Sequence, residues 1–106
     1  MKGKKLITTT VKDNVATMFI NREIKENDAI MLQLEFEKLK TNEEIKIFYI
    51  DFNEQNRICS IAIGKILNIH NYIKQNNKKL ILKNMGDFLK TMFIEIQLDK
   101  IIQMED

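Results

Sequence analysis

The 106-residue chain contains no proline and no tryptophan, three glycines, one cysteine and one histidine. Each scarcity removes a class of chemistry. A single cysteine, Cys59, forbids an internal disulfide, and no second Cys or His stands beside it at the spacing of a structural zinc site. With three scattered glycines there is no Gly-rich phosphate loop, and we expect no cofactor and no metal. No apolar run approaches the ~20 residues that a membrane-spanning helix needs, so no membrane insertion is expected. The basic start, MKGKKL, leads into ITTTV without an apolar h-region or a small-residue cleavage site, so no signal peptide is expected. A cytoplasmic location follows as an expectation. Seventeen Lys+Arg face fifteen Asp+Glu, a formal charge of +2, with the signs interspersed, so nucleic-acid binding has little support.

What is present is 44% hydrophobic and 30% charged residues, the balance of one soluble domain spanning 1–106. No linker, repeat or low-complexity stretch marks a boundary. Residues 5–11 are rich in β-branched side chains, Ile7, Thr8, Thr9, Thr10 and Val11, and a turn at Asp13-Asn14 leads to a second run with Val15, Met18 and Ile20, which predicts an opening β-hairpin. From Asp28 to Thr41, Ala29, Leu32, Phe36 and Leu39 recur at helical spacing, with Asn27 or Asp28 as N-cap. Ile30 and Leu34 fall on another side of this helix, which we read as wedged between two surfaces. Ile45–Phe52, IKIFYIDF, is the central strand, apolar as though both faces were covered.

After the polar loop NEQNR, Ser60 opens a helix running to about Asn76, with Ala62, Ile63, Ile66, Leu67, Ile69 and Ile73 on its apolar face. Lys79–Lys83 is a strand. Gly86-Asp87 then cap a helix whose Phe88, Leu89, Met92, Phe93 and Ile96 form a stripe, and Ile101–Met104 is a last short strand. The order β-β-α-β-α-β-α-β predicts an α/β domain whose mostly parallel sheet is covered by three to four helices.

The segment Asp51-Phe52-Asn53-Glu54, followed by Ile58-Cys59-Ser60-Ile61-Ala62-Ile63-Gly64, resembles the two signature stretches of the STAS domain, the family of bacterial anti-sigma-factor antagonists. Leu80-Ile81-Leu82, MGDFLKTMF and Leu98-Asp99-Lys100-Ile101-Ile102 resemble its C-terminal strand, helix and tail, so that the likeness runs from about Val15 to Asp106. It implies a protein-binding module of a partner-switching circuit that controls a sigma factor. The partner would be an anti-sigma factor of the serine-kinase type, which phosphorylates the residue at Ser60 and is released by that phosphate. Three family positions differ: Cys59 replaces the acid before the serine, Ile61 the second hydroxyl residue and Ala62 the first glycine, while Lys25 stands where an Asp often precedes the first helix.

Two readings of Ser60 stand side by side. As an N-cap it contributes about 1 kcal/mol. As a phosphate acceptor it would use the positive end of its helix, and about two negative charges would spoil an apolar contact around Ile61. The candidate partner-binding surface comprises Asn53, Glu54, Asn56, Arg57, Cys59, Ser60, Ile61, Gly64 and Lys65, with Ile61 as an exposed anchor. Cys59 is read as a small buried hydrophobe, His70 as a packing residue, and Asp51 with Glu54 as turn residues and surface charge. No nucleophile–base pair is readable, so no enzyme is expected. The alternative function is an unphosphorylated structural or regulatory subunit of a membrane-transport complex, using the same surface as a permanent contact. Nucleotide binding at the loop and a weak homodimer are lesser possibilities.

Overall fold

The computed structural model describes residues 5–105. Residues 1–4 of the basic N-terminal stretch, and the last residue of the 1–106 domain, lie outside the described residues. Five strands form one sheet in the order β1-β2-β3-β4-β5: β1 Ile7–Lys12, β2 Val15–Ile20, β3 Ile47–Asp51, β4 Lys79–Lys83 and β5 Gln103–Glu105. β1 and β2 are antiparallel, and every later pairing is parallel. Helices α1 Ala29–Glu37, α2 Ser60–Gln75 and α3 Asp87–Glu95 fill the crossovers, and short 3-10 turns precede α1 and follow α3. The expected α/β order, hairpin and parallel sheet are all present.

The scarcity of glycine has a backbone counterpart. Among the described residues Asp13, Asn53, Glu54, Asn77, Asn84 and Gln97 have positive φ, and neither Gly64 nor Gly86 does. Asn and Asp tolerate this region because their short polar side chains bond locally. Glu54 and Gln97 carry no such relief, and Glu54 follows Asn53 in the loop after β3.

All three helices pack on one face of the sheet. Ala16, Met18 and Ile20 of β2, Phe48 and Ile50 of β3, and Leu80 and Leu82 of β4 join one buried cluster with Leu32 and Phe36 of α1, Ile66 and Ile69 of α2, and Leu89 and Phe93 of α3. Strand order explains this. Sequential parallel strands added in one direction, each by a right-handed crossover, deliver every helix to the same side. Phe36 makes edge-to-face contacts with Phe48 and Tyr72, and Phe52 with Phe93, at centroid separations of 5.4, 5.7 and 6.0 Å.

Four readings of the sequence are corrected. The central strand is not covered on both faces: Ile47 and Tyr49 are half-exposed on the side that the helices leave open. α1 is not wedged, because Ile30 and Leu34 are 47% and 46% exposed on its outer surface, and it ends at Glu37 rather than Thr41. The α3 stripe contains only Leu89 and Phe93 fully buried, with Met92 packed partly against them, while Phe88 and Ile96 point outward. The last strand begins at Gln103, since Ile101 lies in the preceding turn and is 56% exposed.

Candidate functional site

The ends of β3 and β4 deliver two loops that are laced together ahead of α2 and α3. Glu54 N–H donates to the Asn84 carbonyl at 2.7 Å, and Gly86 N–H to the Gln55 carbonyl at 2.9 Å. Asp51 sits beneath the junction as the buried acid of the described core, 4% exposed. Its Oδ1 accepts from Asn53 N–H at 2.8 Å, and its Oδ2 from Asn84 Nδ2 at 2.9 Å. Reading Asp51 as surface charge is therefore wrong. As the last residue of its strand it turns under the loop, and its carboxylate braces the two left-handed residues Asn53 and Asn84. Glu54 is exposed, and the two acids do not form a pair.

A third segment joins on the other side. Ile24, which follows β2, bridges Ile58 in parallel register, and Cys59 N–H donates to the Ile24 carbonyl at 3.2 Å. The chain thus enters α2 in an extended conformation with Cys59, not Ser60, as N-cap. Ser60 occupies the first helical position, exposed, and the cap residue Cys59 makes no side-chain bond to the first turn. The N-cap reading of Ser60 is overturned: Cys59 has the extended dihedrals of a cap, and the Cys59 carbonyl accepts from Ala62 and Ile63 N–H at 3.1 and 3.3 Å. The Ser60 hydroxyl is left at a helix N-terminus, beside the orphan N–H groups of the first turn and the positive end of the dipole.

Around Ser60 the predicted surface residues Asn53, Glu54, Asn56, Arg57, Ile61 and Gly64 are exposed, and Cys59 and Lys65 are half-buried. Ile61 is 48% exposed. Gly64 faces open space, with nothing within 4 Å of an added Cβ. Asn56 has a second role, since its Oδ1 accepts from Phe88 N–H at 3.0 Å and caps α3. An added Cβ at Gly86 would collide with the Asn56 side chain, which is why a residue without a side chain stands there.

This cap brings in residues that sequence reasoning missed. Phe88 is 68% exposed and, with Met92, Ile58, Cys59, Arg57 and Glu23, lines a pocket of about 340 Å³ between the starts of α2 and α3. The helical spacing assigned Phe88 to the core because it adjoins Leu89. Its place in the first turn, ahead of the buried positions, was the available signal. His70 lies farther along α2, half-buried, and burial, reinforced by Lys74, holds its imidazole below the ordinary pKa of 6.5. A second depression, of about 380 Å³, lies at the opposite end of the parallel strands between Lys40, Lys46, Lys78 and Tyr72. Lysines there suit the negative C-terminal ends of α1 and α2. Among the described residues no group of His, Cys, Asp and Glu side chains could hold a metal ion, and no helix is long and apolar enough to cross a membrane.

With this geometry in view, comparison with solved structures is decisive for the fold. A Thermotoga maritima protein described as an anti-sigma factor antagonist superposes with a TM-score of 0.82 over 94% of this chain and 86% of its own, at 18% identity. The fold is that of the anti-sigma-factor antagonists. SpoIIAA, the Bacillus cell fate determinant, aligns in its unphosphorylated form with a TM-score of 0.73 over 94% of this chain and 87% of its own, at 12% identity. A Mycobacterium paratuberculosis antagonist gives 0.79 over 92% and 82%, at 13% identity. A looser likeness, TM-score 0.52, joins the chain to 40% of an enoyl-CoA hydratase/carnitine racemase-type protein from Magnetospirillum magneticum. No family model and no curated protein matches the sequence.

Proposed function

We propose that this protein is a regulatory protein-binding module, an antagonist of an anti-sigma factor of the serine-kinase type, which docks at the Ser60 end of α2 and is released when Ser60 is phosphorylated. The observation that carries this reading is the placement of Ser60. Ser60 is exposed at the first position of a long helix whose N-cap is Cys59, with Ile61 exposed next to it in the chain and Phe88 exposed on the pocket that Cys59 lines. One solved structure with this fold is SpoIIAA in its phosphorylated form, so the fold itself accommodates a phosphate.

The chemistry is consistent. The helix N-terminus stabilises an added dianion locally, so the fold survives modification. The same charge beside Ile61 and Phe88 desolvates poorly, so an apolar contact with the partner does not. Asn53, Glu54 and Arg57 form the polar rim, and the laced loops hold that rim rigid. ATP and the kinase machinery belong to the partner, and no catalytic role falls to this chain.

The test is incubation with the cognate kinase and ATP, followed by intact-mass spectrometry. One phosphate should be gained, and Ser60→Ala should abolish the gain. Binding of Ser60→Glu to the kinase should be weaker by tenfold or so, the equivalent of about 1.4 kcal/mol. A Ser60-independent mass gain, or none, refutes the switch. Cys59 and Ile61, where an acid and a hydroxyl residue would be expected, favour a second reading in which the same surface is a permanent, unphosphorylated contact in a larger complex.

A further inference from the structure

The face of the sheet opposite the helices carries its own pattern. Register places Lys12, Val15, Ile47 and Lys79 in one row across it, then Thr10, Thr17, Tyr49, Ile81 and Gln103, then Thr8, Phe19, Asp51, Lys83 and Glu105. A sheet with one solvated face ordinarily alternates apolar-in with polar-out. β1 obeys, with Thr8, Thr10 and Lys12 exposed. β2, β3 and β4 do not: they present Val15, Phe19, Ile47, Tyr49 and Ile81 on the uncovered side. Ile81 is 4% exposed although it stands outside the core cluster, so its neighbours on this face shield it.

We propose that this open face docks an amphipathic helix of a partner protein, its apolar stripe seated on the β2–β4 strip and its acidic flanks meeting Lys12, Lys79 and Lys83. The dimensions fit one helix. From β2 to β4 is two strand spacings, about 10 Å, close to the diameter of a helix with side chains. Row to row the strip runs about 13 Å along the strands, the length of about nine helical residues.

Charge selects the occupant. Two lysines, Lys12 and Lys79, close one end of the strip, and Lys83 flanks the other. Asp51 is buried and already hydrogen-bonded to the loops, which leaves Glu105 as the exposed acid in these rows. A second copy stacked on the same face would bring lysines to lysines with too few acids to pair them. Nucleic acid fits poorly as well. The centre of the strip is aliphatic, and the ammonium of Lys83 lies 4.4 Å from the Tyr49 ring centroid, over the face on which a base would stack. An acidic helix can draw Lys83 off that ring and pair with it, while keeping its own leucines over Tyr49 and Ile81. This surface is separate from the Ser60 end, and the proposal does not rest on the reading of that site.

The test is a titration of the ¹⁵N-labelled full chain with two helix-forming peptides of about three turns. Both carry the same leucine stripe, one with glutamate flanks and one with lysine flanks. The glutamate peptide should shift amide signals of β2, β3 and β4, and the lysine peptide should not. Lys79→Glu and Lys83→Glu, surface changes that leave the fold intact, should each weaken binding several-fold, and Tyr49→Thr by about tenfold, as for loss of an aromatic anchor. Absence of shifts in these strands, or equal binding of both peptides, overturns the proposal. So does binding of a labelled oligothymidylate on this face, or self-association in sedimentation that Lys83→Glu changes.

Discussion

Replacing Asp51 tests whether the docking loops are held from below. Its carboxylate makes two hydrogen bonds, to Asn53 N–H and to Asn84 Nδ2. A bond to a charged group contributes about 1.5–3 kcal/mol, and the lower end applies here because both asparagines reach solvent and can be rehydrated. Asp51→Ala should therefore cost about 3 kcal/mol, a large part of the ~5–15 kcal/mol available to a domain. Asp51→Asn keeps an acceptor for Asn53 N–H but sets one NH₂ group against another at Asn84, and should cost about 2 kcal/mol. Adding Asn84→Asp restores a carboxylate–amide pair with the donor reversed, and aspartate tolerates the φ of 55° at that position. The double variant should recover about 1 kcal/mol relative to Asp51→Asn, although Asn84→Asp alone, which opposes two carboxylates, destabilises. Urea unfolding of the four variants closes the cycle. Additive losses, or a cost of Asp51→Ala below about 1 kcal/mol, would refute the brace.

Three further outcomes follow from the same geometry. Phe88→Ser should leave the unfolding free energy within about 0.5 kcal/mol because the ring is 68% exposed, whereas Phe93→Ala, fully buried five residues later, should cost about 3–5 kcal/mol; urea unfolding separates the two. Asn56→Ala should forfeit the α3 cap and cost about 1 kcal/mol, and Gly86→Ala, which displaces the same side chain and also presses on the Glu54 carbonyl, should cost more, with the pair costing less than the sum of the two because the cap can be lost only once. His70 has a lowered pKa in the fold, so the unfolded chain binds the proton more readily. Its contribution is complete above the ordinary value of 6.5 and is lost as pH falls through the lowered one; the thermal midpoint of wild type should fall relative to that of His70→Asn on acidification.

Much of the architecture was legible because order and spacing are robust where single motifs are not. The hairpin turn at Asp13-Asn14, the strand at Lys79–Lys83 and the apolar arc of α2 from Ala62 to Ile73 are each set by local periodicity, and their succession leaves few topologies. That is how a likeness to the antagonist fold could be read from a chain 12–18% identical to structures that share it. The misreadings share a cause. Apolar character was taken as burial at Ile30, Leu34, Phe88, Ile96, Ile47 and Tyr49, and polar character as exposure at Asp51. Periodicity states which residues share a face, but not whether anything covers it.

Topology supplies the missing information. Once β1 to β5 are placed in sequential order, right-handed crossovers oblige α1, α2 and α3 to lie on one side. The opposite face is then bare whatever residues it carries, and apolar side chains there are not explained by the core. The same logic applies at the Ser60 end. The helices begin at the C-terminal edge of the sheet, where Asp51, Asn84 and Asn56 lock two loops to one another and to α3, and the exposed Ile61 and Phe88 rest on that frame. Partner contacts at these two surfaces are separable in principle: substitutions at Phe19 or Tyr49 face away from the core cluster that supports Ser60, and substitutions at Ile61 or Phe88 leave the sheet untouched. A variant at one surface should therefore leave binding at the other unchanged, and any coupling between them would run through the ends of β3 and β4, where Asp51 and Lys83 lead from the open face into the docking loops.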